Sequence, residues 1–380
     1  MRKICDNKIC TGCGLCAARC PKHCITMKAG FLGHLFPEID QNKCIDCGLC
    51  QKGCPSLSEI GCGYPKKAYA VWSKDEEDYI TSTSGGAASV LSQYVISEGG
   101  VVYGCSVLPN IQISHIRVDK LEDLHLLKGS KYVQSQIKNV IPQLRNDVKT
   151  GLPVLFIGTP CQVAAIKQLY KTVPSNLYLV DIICHGTPSN QFLKDYIQND
   201  LRIDANRVTN VKFRLPAAFS LCVYNKENLL YKSNNLWTHR YEDLYYNTFI
   251  DGFTYRDSCF HCHYAKSNRI SDITIGDFWG LGNETSDKEI PEHKNGISCM
   301  LPITDKGSEL IEKIRPSLNI YERSVTEAIN GNDQLRAPME EDENIKRFRL
   351  LCHVLSIKHS YQLVNWKIFL KRKMKRILRK

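Results

Sequence analysis

The sequence predicts an α/β protein, α+β overall, that is divided into three parts. Two cysteine runs near the start indicate a small metal-binding module. From Ala68 to about Arg323, strand-like and helix-like segments alternate, which favours a central domain with a mixed or largely parallel sheet. The end of the chain predicts a basic amphipathic helix. We therefore expect domains at residues 1–64, 65–335 and 336–380, the third comprising an acidic linker and that helix.

The two cysteine runs share one pattern, Cys-x2-Cys-x2-Cys-x3-Cys-Pro, which is the spacing of bacterial ferredoxins. In such runs the first three thiolates bind one 4Fe-4S cluster, and the fourth reaches the other cluster. The expected ligands of the first cluster are Cys10, Cys13, Cys16 and Cys54, and those of the second cluster are Cys44, Cys47, Cys50 and Cys20. A structural zinc site is the alternative, but two runs that each end in proline fit zinc poorly.

The composition is that of an ordinary globular chain, since 43% of the 380 residues are hydrophobic and 23% are charged. No stretch approaches the length of an apolar transmembrane span, and the first residues lack the apolar core of a signal peptide. Nineteen cysteines, odd in number and grouped in metal-binding spacings, argue against a secreted disulfide framework. We therefore expect a reducing, cytoplasmic compartment.

The net charge of +11 arises in the C-terminal tail. From Ile345 to Lys380 there are twelve Lys or Arg residues and no acidic ones, so the rest carries 38 basic against 39 acidic groups. Apolar residues recur there at helical spacing: Leu363, Trp366, Leu370, Met374 and Ile377. Such a helix suits the anionic inner face of a membrane or an acidic partner protein, or else packs its stripe on the body. No aromatic-interleaved basic patch occurs elsewhere, so we expect no nucleic-acid partner.

Two loops of the central domain are candidates for binding a cofactor. Ser84, Gly85 and Gly86 precede a helix predicted at residues 87–97, where free backbone N–H groups and the helix dipole would favour a pyrophosphate. An ordinary helix N-cap is the alternative. The polar loop at residues 128–135 places Lys131 within reach of a phosphate or a flavin carbonyl, unless it is only an exposed turn.

Cysteines follow two predicted core strands of this domain. Cys161 comes shortly after the strand at 153–157, and Cys184 comes directly after the strand at 177–183. A right-handed crossover makes these strands parallel, so both cysteines lie at the carboxyl edge of one sheet, where ligands of open α/β sheets bind. Core packing is the alternative for each cysteine.

A Cys-x2-Cys pair, Cys259 and Cys262, brings the number of available thiols to the four that a third cubane needs. Cys105, which also follows a strand, is the alternative fourth ligand. A small zinc site that uses His261 or His263 is the alternative for the pair. Beyond the pair, a strand at 271–275 leads into a loop that carries Asp277.

These motifs together resemble one family. The segments TSTSGGAAS, GSKYVQS, IGTPCQVAA, CHGTPS and CFHCHYA, followed by SDITIGDFWG, are similar in content and order to the coenzyme F420 hydrogenase/dehydrogenase beta subunit family, over about residues 5 to 300. The resemblance implies FAD in the central domain, with a 4Fe-4S cluster beside it. It implies cluster ligands at Cys161, Cys184, Cys259 and Cys262, and cofactor-binding residues at Ser84, Gly85, Gly86, Gly129, Ser130, Lys131, Tyr132 and Thr159.

The expected function follows from electron counting. Ferredoxin clusters transfer one electron at a time, whereas most metabolites change by two, and a flavin converts one into the other. We expect an iron–sulfur flavoprotein oxidoreductase that connects a redox partner or ferredoxin with a small-molecule substrate, as a reductase or a dehydrogenase. Surface polysaccharide biosynthesis is one setting for such a reductase. Proton delivery is expected from His185, Lys131 or Asp277; the alternative is a non-catalytic electron-transfer subunit.

Overall fold

The computed structural model describes residues 3–215, 218–284, 290, 291, 293 and 295–377. Its strands are β1 (Ile25–Ala29), β2 (Leu35–Ile39), β3 (Ala68–Ser73), β4 (Val101–Leu108), β5 (Gln112–Val118), β6 (Val154–Gly158), β7 (Leu177–Ile182), β8 (Asn210–Lys212), β9 (Cys222–Asn225), β10 (Asn228–Lys232), β11 (Ile273–Asp277), β12 (Ser298–Pro302) and β13 (Leu318–Arg323).

The α-helices are α1 (Leu15–Arg19), α2 (Leu49–Lys52), α3 (Glu76–Thr81), α4 (Ala87–Ser97), α5 (Ile141–Lys149), α6 (Pro160–Lys167), α7 (Asn190–Asp195), α8 (Leu244–Ile250), α9 (Asp257–Phe260), α10 (Asp305–Ile314), α11 (Val325–Asn330), α12 (Glu343–Leu351), α13 (Ile357–Val364) and α14 (Trp366–Ile377). Among these helices, none combines the length and apolar character that crossing a bilayer requires.

An eight-stranded mixed sheet forms the centre of the molecule, in the order β13-β3-β12-β11-β7-β6-β4-β5. The four strands β4, β6, β7 and β11 run parallel, as the alternating pattern predicts. The strands on either side pair antiparallel, because β5 returns from β4 through a short turn and β3, β12 and β13 extend the other edge. The sheet is therefore mixed, and its parallel centre brings the ends of β6, β7 and β11 together.

Helices cover both faces of this sheet. On one face, α4 packs Val90, Leu91 and Val95 against strand residues such as Leu155 and Val180. On the other face, α5 and α6 enclose the buried side chains of Phe156 and Leu179 together with their own apolar residues. Burial on both faces explains why the central strands are apolar throughout.

The cysteine-rich module consists of the β1–β2 hairpin and the short helices α1 and α2. It packs directly on the central domain, since Leu15 of α1 is fully buried among apolar residues of α5, α6 and the sheet. His34, beside β2, donates a hydrogen bond from Nε2 to the carbonyl of Thr254, at 3.1 Å. The module is thus fixed against the region that carries α8 and α9.

A second small sheet, β8–β9–β10, packs with the C-terminal helices around an aromatic core. Phe348 of α12 is fully buried against Phe253, with ring centroids 4.9 Å apart. Tyr361 of α13 packs on the same ring at 5.3 Å. The segment expected to be a linker and tail therefore contributes to the core as far as the start of α14, where the Phe369 ring lies 6.1 Å from that of Tyr361. Asp342 caps α12 by accepting a hydrogen bond from the backbone N–H of Ile345.

Candidate functional site

The carboxyl edge of the parallel strands gathers four thiols into one pocket. Cys161 lies in the first turn of α6, Cys184 follows β7, and Cys259 and Cys262 lie in and after α9. All four line a cavity of about 50 Å³. Burial raises the pKa of Cys161 to about 12 and that of Cys259 to about 11, and the neighbouring thiols add to both effects. The structure therefore places these four cysteines together, as the resemblance implies.

The two alternatives for this pocket find little geometric support. Cys105 does not line it and instead lies beside Lys131 and Ser135. His261 and His263 are exposed and do not line it either. Among the described residues, no group of three or more His, Cys, Asp or Glu side chains lies close enough together to hold a single metal ion such as zinc. The same is true of the cysteines in the two ferredoxin runs. Cys184 is thus the fourth thiol of the set.

The ferredoxin runs also gather their thiols into two cavities. One cavity is lined by Cys10, Cys13, Cys16 and Cys54, and the other by Cys20, Cys44, Cys47 and Cys50. The structure therefore brings the fourth cysteine of each run to the other run's cavity, which is the crossed arrangement that the spacing predicts.

Each ferredoxin cavity contains a fifth thiol to which the sequence analysis gives no role. A hydrogen bond from Cys5 lowers the pKa of Cys10 to about 6 and that of Cys54 to about 7, against the opposing effect of burial. Cys24 has its Sγ 3.4 Å from that of Cys20. Neither residue belongs to the repeated spacing, so only the folded chain shows that they lie beside the ligands.

A large cleft of about 1100 Å³ lies between α4, the 121–131 segment and the small sheet. Gly129, Ser130 and Lys131 line it, opposite Thr83 and Arg214. Gly129 has a φ of 85°, in the left-handed region that glycine adopts without strain. Because ligand pockets commonly measure about 300–1,000 Å³, this cleft has room for a dinucleotide-sized cofactor.

Ser84, Gly85 and Gly86 do not line this cleft, so the predicted pyrophosphate cradle needs correction. A Cβ on Gly85 would lie 2.0 Å from the carbonyl oxygen of Val71, which shows that this glycine lets the loop pass close over β3. Gly86 occupies the N-cap of α4 with a φ of 84°. The Ser84 hydroxyl is buried and has no hydrogen-bond partner among the described residues.

A carboxylate stands close to the start of α4, where an anionic ligand was expected. Asp78 accepts a hydrogen bond from the Ser89 hydroxyl at 2.6 Å and pairs with the Lys128 ammonium at 2.7 Å. A negative side chain beside a helix N-terminus is favourable for the same reason that a phosphate would be. The cofactor is therefore expected along the 128–131 loop, and α4 supplies a wall of the cleft.

The three residues expected to deliver protons lie in different places. Lys131 lines the large cleft, its ammonium donates to the carbonyls of Leu127 and Lys128 at 2.9 and 2.8 Å, and burial lowers its pKa to about 8. His185 lines the thiol pocket, and burial lowers its pKa, although Asp333 and Asp277 oppose this effect. Lys131 and His185 therefore serve different cavities.

Asp277 lies at the end of β11 and is held by an arginine that the sequence analysis missed. Arg214 donates a hydrogen bond from Nη1 to the Asp277 carboxylate at 2.7 Å, and its guanidinium lies 4.3 Å from the centre of the Phe219 ring. Arg214 also lines the large cleft and acts electrostatically on Tyr132, whose ring packs against Phe249. Because Arg214 belongs to no motif and no regular element, nothing in the sequence marks it.

A buried hydrogen-bond network lies between the thiol pocket and the loop at 128–135. Gln162 donates to the Ser135 hydroxyl at 2.9 Å, and its Oε1 accepts from the backbone N–H of Thr159 at 3.0 Å. His115 Nε2 donates to the carbonyl of Ile157, so its Nδ1 accepts from Ser135 at 3.0 Å. The Thr159 hydroxyl lies 3.2 Å from the Cys161 sulfur, so Thr159 belongs to the thiol pocket and not to the cleft.

Three cysteine-lined pockets on a ferredoxin module and a mixed α/β domain define an iron–sulfur electron-transfer protein. Two comparisons with protein families agree with this class. Residues 9–57 match the family model for a 4Fe-4S dicluster domain. Residues 152–328 match the model for the C terminus of the coenzyme F420 hydrogenase/dehydrogenase beta subunit. These matches confirm the resemblance predicted from the motifs: part of the central domain is similar to the C terminus of those beta subunits, and the N-terminal module is similar to a 4Fe-4S dicluster domain.

Among solved structures, the chain is similar to a chain of the F420-reducing [NiFe] hydrogenase complex from Methanosarcina barkeri. The two are 18% identical, the match covers 73% of this chain and 94% of that chain, and the TM-score is 0.42. No curated protein sequence matches the chain.

Proposed function

We propose that this chain is an FAD- and iron–sulfur-dependent oxidoreductase that passes electrons between its ferredoxin clusters and a small organic substrate. The observation that carries the proposal is that one loop lines two cavities. Residues 128–131 of this loop line the dinucleotide-sized cleft, and Gln134 and Ser135 of the same loop line the four-thiol pocket, where Ser135 accepts a hydrogen bond from Gln162. A redox partner protein would supply or accept the electrons.

The donors of the thiol pocket fit a third 4Fe-4S cluster. Cys161, Cys184, Cys259 and Cys262 are sulfur ligands from three separate segments, which is a cluster ligand set. Burial raises the pKa of each thiol, so the uncharged form is favoured in the polypeptide alone. A bound cluster would take these thiols as thiolates, and the Thr159 hydroxyl, 3.2 Å from the Cys161 sulfur, would be placed to donate a hydrogen bond to that ligand.

The large cleft fits FAD on the basis of its size and its mixed walls. Lys131 and Lys212 are basic groups that could meet a pyrophosphate, although Asp75, Glu77, Asp78 and Glu122 also line the cleft, so its lining carries no net positive charge. Apolar surface comes from Val90, Val107, Leu124 and Phe213. When bound, FAD would accept electrons singly from a cluster and exchange them in pairs with a metabolite. The loop at Gly129, Ser130 and Lys131 would hold it at the side of the cleft that faces the network.

Chain residues would supply the proton and the orientation of the substrate. Lys131 has a pKa of about 8 because burial disfavours its charge, so it can give or take a proton near neutral pH. Arg214, fixed by Asp277 and stacked on Phe219, presents a positive group to the cleft and would orient an anionic substrate. His185 would serve proton movement on the thiol side.

Metal and flavin content test the proposal directly. Protein purified under anaerobic conditions is expected to contain about twelve irons, four for each cluster, with matching sulfide and a flavin absorbance spectrum. A protein with about eight irons and no flavin would contradict it and would favour a non-catalytic electron-transfer subunit. Testing the reduced protein against deazaflavins, nicotinamides and activated sugars would then identify the substrate class.

A separate surface favours peripheral contact with a membrane at its cytoplasmic face. Leu363, Trp366, Leu370 and Met374 are each about half exposed, so in the described structure the apolar stripe does not pack on the body. Ile377, the last residue of the predicted stripe, has a side chain outside the described ones. Lys367 and Lys371 accompany the stripe, and an anionic lipid surface complements both its apolar and its basic residues.

Vesicle binding tests this contact. Replacement of both Trp366 and Leu370 by Ser is expected to weaken binding to vesicles that contain phosphatidylserine, measured by co-sedimentation. Replacement of Tyr361 is unsuitable, because its ring is buried against Phe253. Equal binding of the double variant and the unaltered protein would contradict a membrane role for this helix.

A further inference from the structure

Arg256 is almost completely buried, with 1% of its surface exposed, at the boundary between the ferredoxin module and the central domain. Its Nε donates to the carbonyl of Cys10, and its Nη2 donates to the carbonyl of Leu35 at 2.8 Å and lies 3.5 Å from the Cys10 sulfur. The guanidinium also stacks on the Phe36 ring at 4.2 Å. A buried charge held in this way needs a function or a compensating partner.

The same guanidinium faces the thiol pocket of the central domain. Arg256 lines that pocket, and its charge acts on both Cys161 and Cys259. Its Nη1 is buried and has no hydrogen-bond partner among the described residues. One arginine therefore contacts a ligand of the first cluster and lies within electrostatic range of two ligands of the proposed third cluster.

The loop of the first run approaches the central pocket closely. Thr11 lines both the first-cluster cavity and the central thiol pocket. Its carbonyl accepts a hydrogen bond from Gln134 at 2.7 Å, and a Cβ on Gly12 would lie 2.6 Å from Arg256 Nη1. Tyr264 lies within electrostatic range of Cys13 as well as of Cys161. The first cavity and the central pocket are thus separated by one layer of side chains.

The cavity of the second cluster is arranged differently. All the described residues that line it belong to the ferredoxin module, between Cys20 and Gln51. Cys47 is exposed, and so are the neighbouring apolar side chains of Ile45 and Leu49, at 56% and 39%. This cavity therefore opens to the outside of the molecule and not to the central domain.

We propose that Arg256 is a positioning residue through which the first cluster, and not the second, exchanges electrons with the proposed cluster of the central domain. The second cluster is left to exchange electrons with an outside one-electron carrier protein. In the reductive direction, the cluster on Cys10, Cys13, Cys16 and Cys54 loses one electron and the cluster on the central thiols gains it. No bond forms or breaks, and Arg256 keeps its proton. The proposal rests on the third cluster of the proposed function.

The test compares Arg256→Gln and Arg256→Lys with a matched control, Arg349→Gln. Arg349 is a partly buried arginine that also packs on the ferredoxin module, over the Phe31 ring at 5.1 Å, and its hydrogen bonds among the described residues go to Tyr255 and Asp257 and not to a ligand cysteine. Iron and sulfide analysis establishes that each variant keeps its clusters. An EPR-monitored redox titration then gives the midpoint potential of each cluster, and rapid mixing gives the rate of electron transfer to the central site.

In Arg256→Gln we expect the midpoint potential of the first cluster to fall, because the added electron loses a positive neighbour. Electron flow from an outside carrier to the central site should slow by roughly tenfold or more, because the first cluster becomes harder to reduce and loses a group that orients its ligand. Arg256→Lys, which keeps the charge, should recover part of the potential, and Arg349→Gln should change neither quantity. An unaltered potential and rate in Arg256→Gln, or the same changes in Arg349→Gln, would overturn the proposal.

The outcome also separates this proposal from the proposed function. If the unaltered protein binds only about eight irons, the third cluster is absent and the proposed function fails. In that case the effect of Arg256→Gln on the first cluster is still measurable and shows only a local role. If twelve irons are present and the second cluster, not the first, responds to Arg256→Gln, the order of electron transfer proposed here is wrong.

Discussion

The ferredoxin module and the central domain both gather cysteines, but they do so by different means. In the module, the first three cysteines of each run lie in one short loop with two residues between neighbours, so local spacing brings together six of the eight expected ligands. In the central domain, Cys161, Cys184 and the Cys259 pair come from three segments spread over about a hundred residues. The parallel pairing of β6 and β7 places the first two at one sheet edge, and the fold brings the α9 segment to the same place. A local pattern defines the first kind of site, whereas sheet topology defines the second.

The two regions also differ in how they treat the thiols. Cys10 and Cys54 have a lowered pKa, because the thiol of Cys5 can donate its hydrogen bond to either of them, and the charge of Arg256 adds to the effect at Cys10. Cys161 and Cys259 have a raised pKa, because burial is not offset by a comparable donor. Burial also raises the pKa of Cys13, Cys16 and Cys50 in the module, so the polypeptide favours the thiolate at only part of that ligand set.

The largest expected effect separates the central thiols from other buried cysteines. Cys259→Ala and Cys262→Ala should each remove about four irons of twelve and slow electron transfer between the flavin and the ferredoxin clusters. Cys105→Ala is the control, since Cys105 does not line the thiol pocket. Iron analysis checks both. Loss of zinc with unchanged iron would show instead that the pair forms a structural zinc site.

The next effect concerns Lys131 and its pKa of about 8. In the reductive direction its charged form donates the proton, so activity should fall as the pH rises through about 8. Lys131→Met should lower turnover by roughly 100-fold and remove this limb of the pH profile, because the group that titrates is gone. Steady-state rates between pH 6 and 9.5 measure this, with iron and flavin content as the control. A retained limb would assign the titration to another group.

A smaller effect compares the two halves of the ferredoxin module. Gly12 and Gly48 have φ values of 68° and 69°, so replacement by Ala costs about 1–2 kcal/mol of backbone strain at either position. A Cβ at Gly12 would also meet Arg256, whereas one at Gly48 meets nothing within 4 Å. Gly12→Ala should therefore lower the free energy of unfolding by about 1–3 kcal/mol more than Gly48→Ala does, measured by anaerobic thermal unfolding. Equal losses in the two variants would show that the Arg256 side chain moves aside without destabilising the fold.

The smallest effect concerns His34, which joins the two regions. Burial lowers its pKa to about 3, and the charges of Arg256 and Arg349 act in the same direction. Because the unfolded state binds a proton below about pH 6.5 and the folded state does not, stability should fall as the pH is lowered from 7 to 5.5, by about 1 kcal/mol. His34→Gln should show a smaller loss over this interval. The difference in unfolding temperature between the two pH values measures it.

Several features of the fold are readable from the chain by itself. The helix expected at residues 87–97 has those bounds in the structure, because its apolar spacing is regular and Gly99 and Gly100 end it. The parallel centre of the sheet follows from the alternation of strands and helices. The antiparallel strands β12 and β13 do not, since a buried strand has the same apolar pattern in either direction.

Part of the candidate site could also be predicted from the sequence. Two thiols of the central pocket, Cys161 and Cys184, are marked by their positions after strands, so a topological rule finds them. The other two, Cys259 and Cys262, are marked by their Cys-x2-Cys spacing. The glycines at 85 and 86 are marked equally well, but Gly85 serves the close packing of the loop on β3 and does not reach the cleft. Residue type alone does not distinguish a glycine that admits a ligand from one that admits another part of the backbone.

The sequence by itself determined the cofactor chemistry of the N-terminal module, because cluster ligands within one loop depend only on local spacing. It also indicated that the central strands run parallel and which residues follow them, whereas the order of the strands in the sheet is known only from the structure. Only the tertiary structure decided which isolated residues join the site. Arg214, Arg256, Cys5 and Cys24 have no motif around them, and their roles arise from contacts with segments remote in the chain or outside the repeated spacing. Such contacts depend on how the two domains pack, which a linear pattern does not encode.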